Sequence, residues 1–406
     1  CEYRFVILGE LRKGANFMDT IGESLSVIAE DWLNRLGLAL SKSDPGEISA
    51  LFLKDSHWRD LLALTWNITT VSGSESIVDL LRQCQPDAAA TGFRLDETDV
   101  PARVVIRGGK EDVIEAIYAF STTNGDARGV LRLLPDKSDG GKLKAWTLLT
   151  SLDSIAGHRE TVGAARPTGE VYSRDFAGPN WQDRRNIAAA YEDHDPDVLI
   201  VGGGQAGVST AARLTQLGVD TLIVDTHKRI GDNWRKRYHA LVLHNQVHVN
   251  HFPYLEFPPN WPTYIPKDKL AGWFEAYVDL MELNYWTNAT FTGGKYHKTD
   301  GRWNAELTLA GDTKRKLRPK HIVMATSISG IPNIPNIPTL DAFRGEIMHS
   351  SSYKSSKDRA GTNILIIGTG TSGHDIAQDL HSNLVHATLV QRSPTLILNV
   401  EPAAQL

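Results

Sequence analysis

The 406-residue chain has only two cysteines, Cys1 and Cys84. That excludes a disulfide framework and a thiol-rich metal site, and no metal is expected. It also excludes a Cys-x-x-Cys redox pair. No apolar run approaches the roughly 18 residues that a membrane-crossing helix needs. Charge of neither sign dominates: 43 Lys and Arg against 48 Asp and Glu leave a formal net charge of −5. Such a balance gives no general reason to expect nucleic acid or an anionic membrane as partner. The first residues, CEYRFVILGE, have neither an initiator Met nor a cleavable-signal pattern, and read as a clipped start. A reducing, cytoplasmic setting is the default for such a chain. The length is too great for one ordinary core and implies two or three domains.

The most informative stretch is DVLIVGGGQAGVSTAARLTQLGVDTLIVD, from Asp197 to Asp225. Val198 to Val201 form the short apolar run of a parallel strand covered on both faces. Gly202, Gly204 and Gly207 follow at G-x-G-x-x-G spacing. The first allows a tight turn, the second lets the backbone approach a pyrophosphate, and the third lets the helix pack closely on the strand. Ala211, Leu214 and Leu217 place an apolar stripe on that helix, and Gly218 stands where it would stop. A second strand ends at Asp225, where a carboxylate can accept ribose hydroxyls. The unit predicts dinucleotide binding; the bland alternative is an ordinary β-α turn.

In the first 160 residues, Leu25, Ile28, Ala29, Trp32, Leu36 and Leu40 follow helical spacing. Ser43-Asp-Pro-Gly46 breaks the helix, and another begins over Glu47–Leu53. Arg103–Arg107, Val130–Leu134 and Leu143–Leu152 read as strands between Gly- and Asp-rich turns. Helices first and strands afterwards imply an α+β domain over residues 20–156. In order and size it resembles the cone-shaped nuclear-transport-factor-2-like superfamily. His57 and Asp60 offer an acid–base pair in principle, against a structural reading of His57-Trp-Arg-Asp60. A polar, Gly- and Pro-bearing linker spans residues 157–195, with a short helix over Arg184–Tyr191.

After Asp225, the residues Gly231, Trp234, Arg237 and Tyr238 and the run Leu241-Val-Leu-His244 resemble the segment following the FAD-binding acid in flavin-dependent monooxygenases. That resemblance implies that they cover the FAD pyrophosphate and line the isoalloxazine. An Arg and a Trp beside a glycine turn suit a phosphate and a flat apolar ring. Pro258-Pro-Asn-Trp-Pro-Thr-Tyr264 extends the likeness, including to the plant indole-pyruvate type. The family places an amide near Asn245 that hydrogen-bonds flavin and NADP. At the crossover His321-Ile-Val-Met-Ala-Thr326, Ser327 stands where the family has Gly; a left-handed backbone there would cost Ser about 1 kcal/mol or more.

Phe343-Arg-Gly-Glu-Ile-Met-His349-Ser-Ser-Ser-Tyr353 fits F-x-G-x-x-x-H-x-x-x-Y, the fingerprint of flavin-containing and N-hydroxylating monooxygenases. His349 invites a general-base reading, whereas the resemblance implies a structural, domain-coupling role. Asn363-Ile-Leu-Ile-Ile-Gly368 then repeats the opening design, with Gly370 and Gly373 completing the spacing. Its second strand ends at Gln391, followed by Arg392 and Ser393. A carboxylate would repel a 2′-phosphate, whereas Arg offers a charge-assisted fork and Ser a hydroxyl.

The expected protein is therefore α/β. Two Rossmann-like units, for FAD (196–360, first part) and NADPH (361–406, N-terminal part), follow the cone domain, and the chain is truncated at both ends. By resemblance, NADPH reduces FAD and a C4a-hydroperoxyflavin passes one oxygen of O2 to a nitrogen or sulfur nucleophile of a small molecule. Three alternatives stay open. They are Baeyer–Villiger oxygenation, oxygenation of an indole-3-pyruvate-type carbonyl compound, and a non-catalytic nucleotide-binding fragment. A homo-oligomer is compatible with the sequence, which specifies no oligomeric state. Arg392→Ala is expected to weaken NADPH binding by roughly 1.5–3 kcal/mol, the range for hydrogen bonds to charged groups, with NADH little changed. Equal losses for both nucleotides in steady-state kinetics would contradict it.

Overall fold

The computed structural model describes residues 15–98, 100–168, 176–328 and 330–400; at residues 15–24 and 111 it describes backbone alone. The clipped start, part of the expected linker (169–175) and the last six residues of the expected NADPH domain lie outside the described residues. Two compact units meet in sequence at Arg159 and Glu160.

Unit 1 begins with helix α1 (Ala15–Lys42), which buries Leu25, Ala29, Trp32, Leu36 and Leu40 along one face. Asp44 stops it and caps α2 (Pro45–Ser49), accepting from the Gly46 and Glu47 amides at 2.8 and 3.0 Å. The expected second helix is short because the chain turns into strand β1 (Phe52–Leu61). Alternation sets its two faces: Ser56, Trp58 and Asp60 point inward, His57 and Arg59 outward. The structural reading of His57-Trp-Arg-Asp60 fits this strand, because an odd spacing puts His57 and Asp60 on opposite faces. His57 Nδ1 lies 2.8 Å from Ser72 Oγ. Buried Asp60 accepts from Thr150 Oγ1 at 2.6 Å, Thr65 Oγ1 at 2.7 Å and the Thr65 amide at 2.8 Å. It holds the turn after its own strand.

There follow β2 (Ile68–Ser72), α3 (Ser74–Ala88), β3 (Thr91–Leu95), β4 (Arg103–Arg107), β5 (Lys110–Thr122), β6 (Gly125–Asp136) and β7 (Lys142–Leu152). They form one sheet, ordered β2-β1-β7-β6-β5-β3 with β4 also on β5. The β1–β7 pair is parallel and the rest antiparallel. Helices α1 and α3 close its inner face in a core that includes Trp32, Trp58, Tyr118, Phe120 and Leu131.

In unit 2, α4 (Trp181–Ala190) is closed by a capping box between Asn180 and Asp183. The unit then builds β8 (Val198–Val201), α5 (Gln205–Gln216) and β9 (Thr221–Val224). A four-residue helix α6 (Asp232–Arg235) and the pair β10 (Val242–Gln246) and β11 (Tyr264–Pro266) lead to α7 (Lys267–Leu280) and β12 (Asn284–Trp286). An antiparallel sheet of β13 (Thr290–His297), β14 (Arg302–Thr308) and β15 (Lys314–Leu317) precedes β16 (His321–Met324). Strands β12-β9-β8-β16 form an all-parallel sheet. Its two central strands, β8 and β9, are buried along their whole length because both faces are covered. Val198, Ile200 and Ile223 pack with α5 and α7, while Leu199, Val201, Leu222 and Val224 pack with Ala305, Leu307 and Leu317 of the antiparallel sheet. The chain ends its described part with β17 (Asn363–Ile367), α8 (Thr371–Ser382) and β18 (His386–Val390), a second parallel β-α-β unit.

On the outer face of the unit 1 sheet, Glu115 binds three guanidinium groups, Arg103 and Arg132 at 2.8 Å and Arg107 at 3.2 Å. Burial pushes its carboxyl up, but the hydrogen bonds from Arg103, Arg132 and Arg107 outweigh this and bring it from 4.5 to about 2. A depressed carboxylate contributes stability above its unfolded value and loses it as pH falls through the folded one. Denaturation midpoints should therefore fall between about pH 4.5 and 2, and less steeply in Glu115→Gln. Parallel pH profiles for the two proteins would contradict this assignment.

Candidate functional site: two glycine turns and the segment between them

The two glycine turns have the same backbone. Gly202 stands at φ +107° and Gly368 at φ +110°, a region closed to side chains. Each donates its amide at 2.9 Å to the end of the neighbouring strand, Val224 O and Val390 O respectively. Gly204 and Gly370 cap α5 and α8 in extended conformation. A Cβ on Gly207 would lie 2.0 Å from Gly202 O, and one on Gly373 would lie 2.6 Å from Gly368 O. The third glycine is thus what lets each helix sit on its turn. Each helix directs free N–H groups and a positive dipole end at whatever lies beyond.

There is room for a ligand at both. Among the described residues, a Cβ on Gly204 would meet only Asn233 Nδ2 at 3.6 Å, and one on Gly370 would meet nothing within 4 Å. The first turn has a further constraint that spacing alone does not reveal: a Cβ on Gly203 would lie 1.8 Å from Tyr285 Oη. A run of three glycines was the available signal.

Asp225 ends β9 where Gln391 follows β18. Its Oδ2 accepts from the Gly203 amide at 2.7 Å, and its Oδ1 from the His227 amide at 2.8 Å. Burial pushes this carboxyl up, but the His227 side chain, then the His227 and Gly203 amides, hold it below its ordinary value. A carboxylate so placed ties the acid-bearing strand end to the turn and retains lone pairs that can accept further hydrogen bonds. At the second unit Arg392 and Ser393 are both exposed, and no carboxylate occupies the strand end. The crossover strand β16 runs against the first turn, where a Cβ on Gly202 would lie 2.6 Å from Ala325 O. Ser327 there stands at φ +69°. The position where the family has Gly is left-handed, at a cost of about 1–2 kcal/mol to a side chain.

Residues 231–246 link the two turns. Asn233 brings α6 against Gly204. Trp234 packs at the edge of two apolar clusters, and its buried Nε1 has no hydrogen-bond partner among the described residues. Arg237 is exposed and lies over the Tyr238 ring at 5.7 Å. Tyr238 is buried, and its hydroxyl donates to Asp375 Oδ2, whose neighbour His244 Nε2 is 3.2 Å away. Asn245 is exposed on β10, and its carbonyl accepts from Asn250 Nδ2 at 3.4 Å.

The fingerprint segment adds a second clasp. Tyr353 donates its hydroxyl to Asp379, which also accepts from the Ser356 amide at 2.9 Å. Burial and the Asp379 carboxylate push the Tyr353 phenol up to about 12. Lys354 O accepts from the His239 amide at 2.8 Å, and Lys354 Nζ donates to Lys236 O. Tyr238, Leu241, Tyr353, Ile376, Leu380 and Val385 form one apolar cluster. His349 is half-buried and turns inward on its own loop, where Nδ1 accepts from the Ser351 amide at 3.2 Å. The aspartates of α8 were not singled out in the sequence, although Asp375 and Asp379, one helical turn apart behind the third glycine, share a face.

Two open glycine turns joined by one clasped segment define a two-dinucleotide oxidoreductase fold. The pattern of the pyridine nucleotide-disulphide oxidoreductases matches residues 196–405. The chain belongs to that family, and the relatives it is similar to are flavin monooxygenases, a group whose cofactors are FAD and NADPH. It is 32% identical over 207 residues to probable indole-3-pyruvate monooxygenase YUCCA10 of Arabidopsis thaliana, covering 50% of this chain and 54% of that protein. It is 31% identical over 204 residues to indole-3-pyruvate monooxygenase YUCCA1 of Oryza sativa subsp. japonica, covering 50% of this chain and 49% of the relative. A flavin-containing monooxygenase structure from Stenotrophomonas maltophilia is 23% identical with a TM-score of 0.46, over 50% of this chain and 60% of that one. The chain spans about half the length of the curated relatives it matches. No cysteine lies within residues 196–405, so the disulphide chemistry in the family's description has no thiol pair here.

Proposed function

We propose that the protein is an FAD- and NADPH-dependent monooxygenase that places one oxygen atom of O2 on a small molecule. The observation that carries this is the pair of matched glycine turns, one backed by Asp225 and the other by Arg392, joined through Tyr238 and His244. When bound, the flavin supplies hydride acceptance and the reaction with O2. The chain's residues hold and orient. Gly202, Gly204 and Gly207 with Asp225 would receive the FAD pyrophosphate and ribose. Gly368, Gly370 and Gly373 with Arg392 and Ser393 would receive NADPH and its 2′-phosphate. The residues fit these groups: both helix ends are open, and the Trp234 Nε1 donor is unclaimed. Trp234 and Tyr238 keep water from the flavin side, and Asn245 is the amide offered to both cofactors. His349 takes a structural role rather than a proton-transfer role, which its hydrogen bond to its own loop supports.

The substrate we propose is a small molecule with a nucleophilic nitrogen or sulfur, on the strength of the Phe343–Tyr353 fingerprint. A second reading, a 2-oxo acid with an indole-like side chain, is favoured by the two indole-3-pyruvate monooxygenase relatives. Unit 1 is proposed as a nuclear-transport-factor-2-like cone; one sheet with helices on its inner face supports this.

Purified protein given NADPH, O2 and, in turn, a tertiary amine, a sulfide, an indolic keto acid and a ketone should yield an N- or S-oxide. Decarboxylated product from the keto acid alone would select the second reading. An ester or lactone alone would overturn both.

A further inference from the structure

Asp375 lies just past Gly373, in the first half of α8, and its Oδ2 faces two side chains from the far end of the other nucleotide unit. The Tyr238 hydroxyl donates to it, and His244 Nε2 lies 3.2 Å away. Both belong to the segment that follows Asp225, after α6 has passed Gly204. The carboxylate is partly shielded, with 22% of its side chain exposed, and Tyr238 is 5% exposed. Ile376, the next residue of α8, is buried against the same cluster as Tyr238 and Leu241. A bound pyrophosphate at Gly370–Gly373 would sit on the end of this helix. Any adjustment of α8 to it moves Asp375, and with it the two side chains that Asp375 holds.

We propose that Asp375 is a positioning residue that reports occupancy of the second glycine turn to the 238–246 segment, holding Tyr238 and His244 in place when nucleotide is bound. The inference rests on reading the second turn as the NADPH site and the 238–246 segment as part of the FAD site. Asp379 provides the contrast. It clasps Tyr353 one helical turn further from the glycines, and so holds the units together without facing 238–246. Neither carboxylate takes part in chemistry; each acts through the side chain it binds.

Hydrogen–deuterium exchange on the full chain, with and without NADP+, tests the proposal on wild type, Asp375→Asn and Tyr238→Phe. In wild type NADP+ should slow exchange of residues 238–246 by about fivefold or more. In both variants the slowing at 368–373 should persist, while that at 238–246 falls below about twofold. Equal slowing at 238–246 in all three proteins, or none there in wild type, overturns the proposal. Should Asp375→Asn fail to fold, full slowing at 238–246 in Tyr238→Phe overturns it equally. Flavin content of the same wild-type preparation reports separately. Colourless protein that shows the expected exchange pattern would sink the FAD reading and leave the coupling standing.

Discussion

At each nucleotide turn the third glycine lies against the carbonyl of the first, so closely that one added carbon would stand 2.0 Å or 2.6 Å from that oxygen. Everything else at the site depends on this approach. It seats the helix N-terminus beside the strand end and points its free amides outward. It also puts Asp225 within 2.7 Å of the Gly203 amide. The two turns share one backbone geometry but differ in their closing residues, Asp225 and Gln391-Arg392, and so in charge rather than in fold.

The segment from Gly231 to Gln246 links the two turns. Its apolar residues complete the core of the second unit, its Tyr238 reaches Asp375, and its backbone is held by Lys354 from the fingerprint. The fingerprint therefore acts through Tyr353 and Lys354, which reach across, whereas His349 stays with its own loop. Fixing the units in this way suits a reaction in which a hydride must cross from one nucleotide to the other, because transfer depends on near-contact geometry.

What the sequence disclosed follows from the range of each interaction. The unit from Val198 to Asp225 was readable because strand, turn, helix and acid lie within one short stretch and each glycine has a local reason. The strand Arg103–Arg107 was readable for the same cause. Helix α3 and strand β5 were not: α3 carries Pro86 and polar residues, and β5 mixes buried Ala116 and Tyr118 with the charged Glu115. His57 and Asp60 are near in sequence and could pair in principle, but strand alternation separates them. Tyr238 and Asp375 lie 137 residues apart, and no periodicity links them. Ser327, which stands where the resembling family has Gly, takes the left-handed φ whose cost to a side chain the sequence allowed to be stated only conditionally.

The central claim is that both turns serve one flavin. The direct test is anaerobic mixing of the flavin-loaded protein with NADPH, following the visible absorption of the flavin, with NADH as comparison. One equivalent of NADPH should bleach the oxidised flavin band, and NADH should do so far less readily. NADPH that binds yet leaves the flavin oxidised, or protein that takes up no FAD, would contradict it.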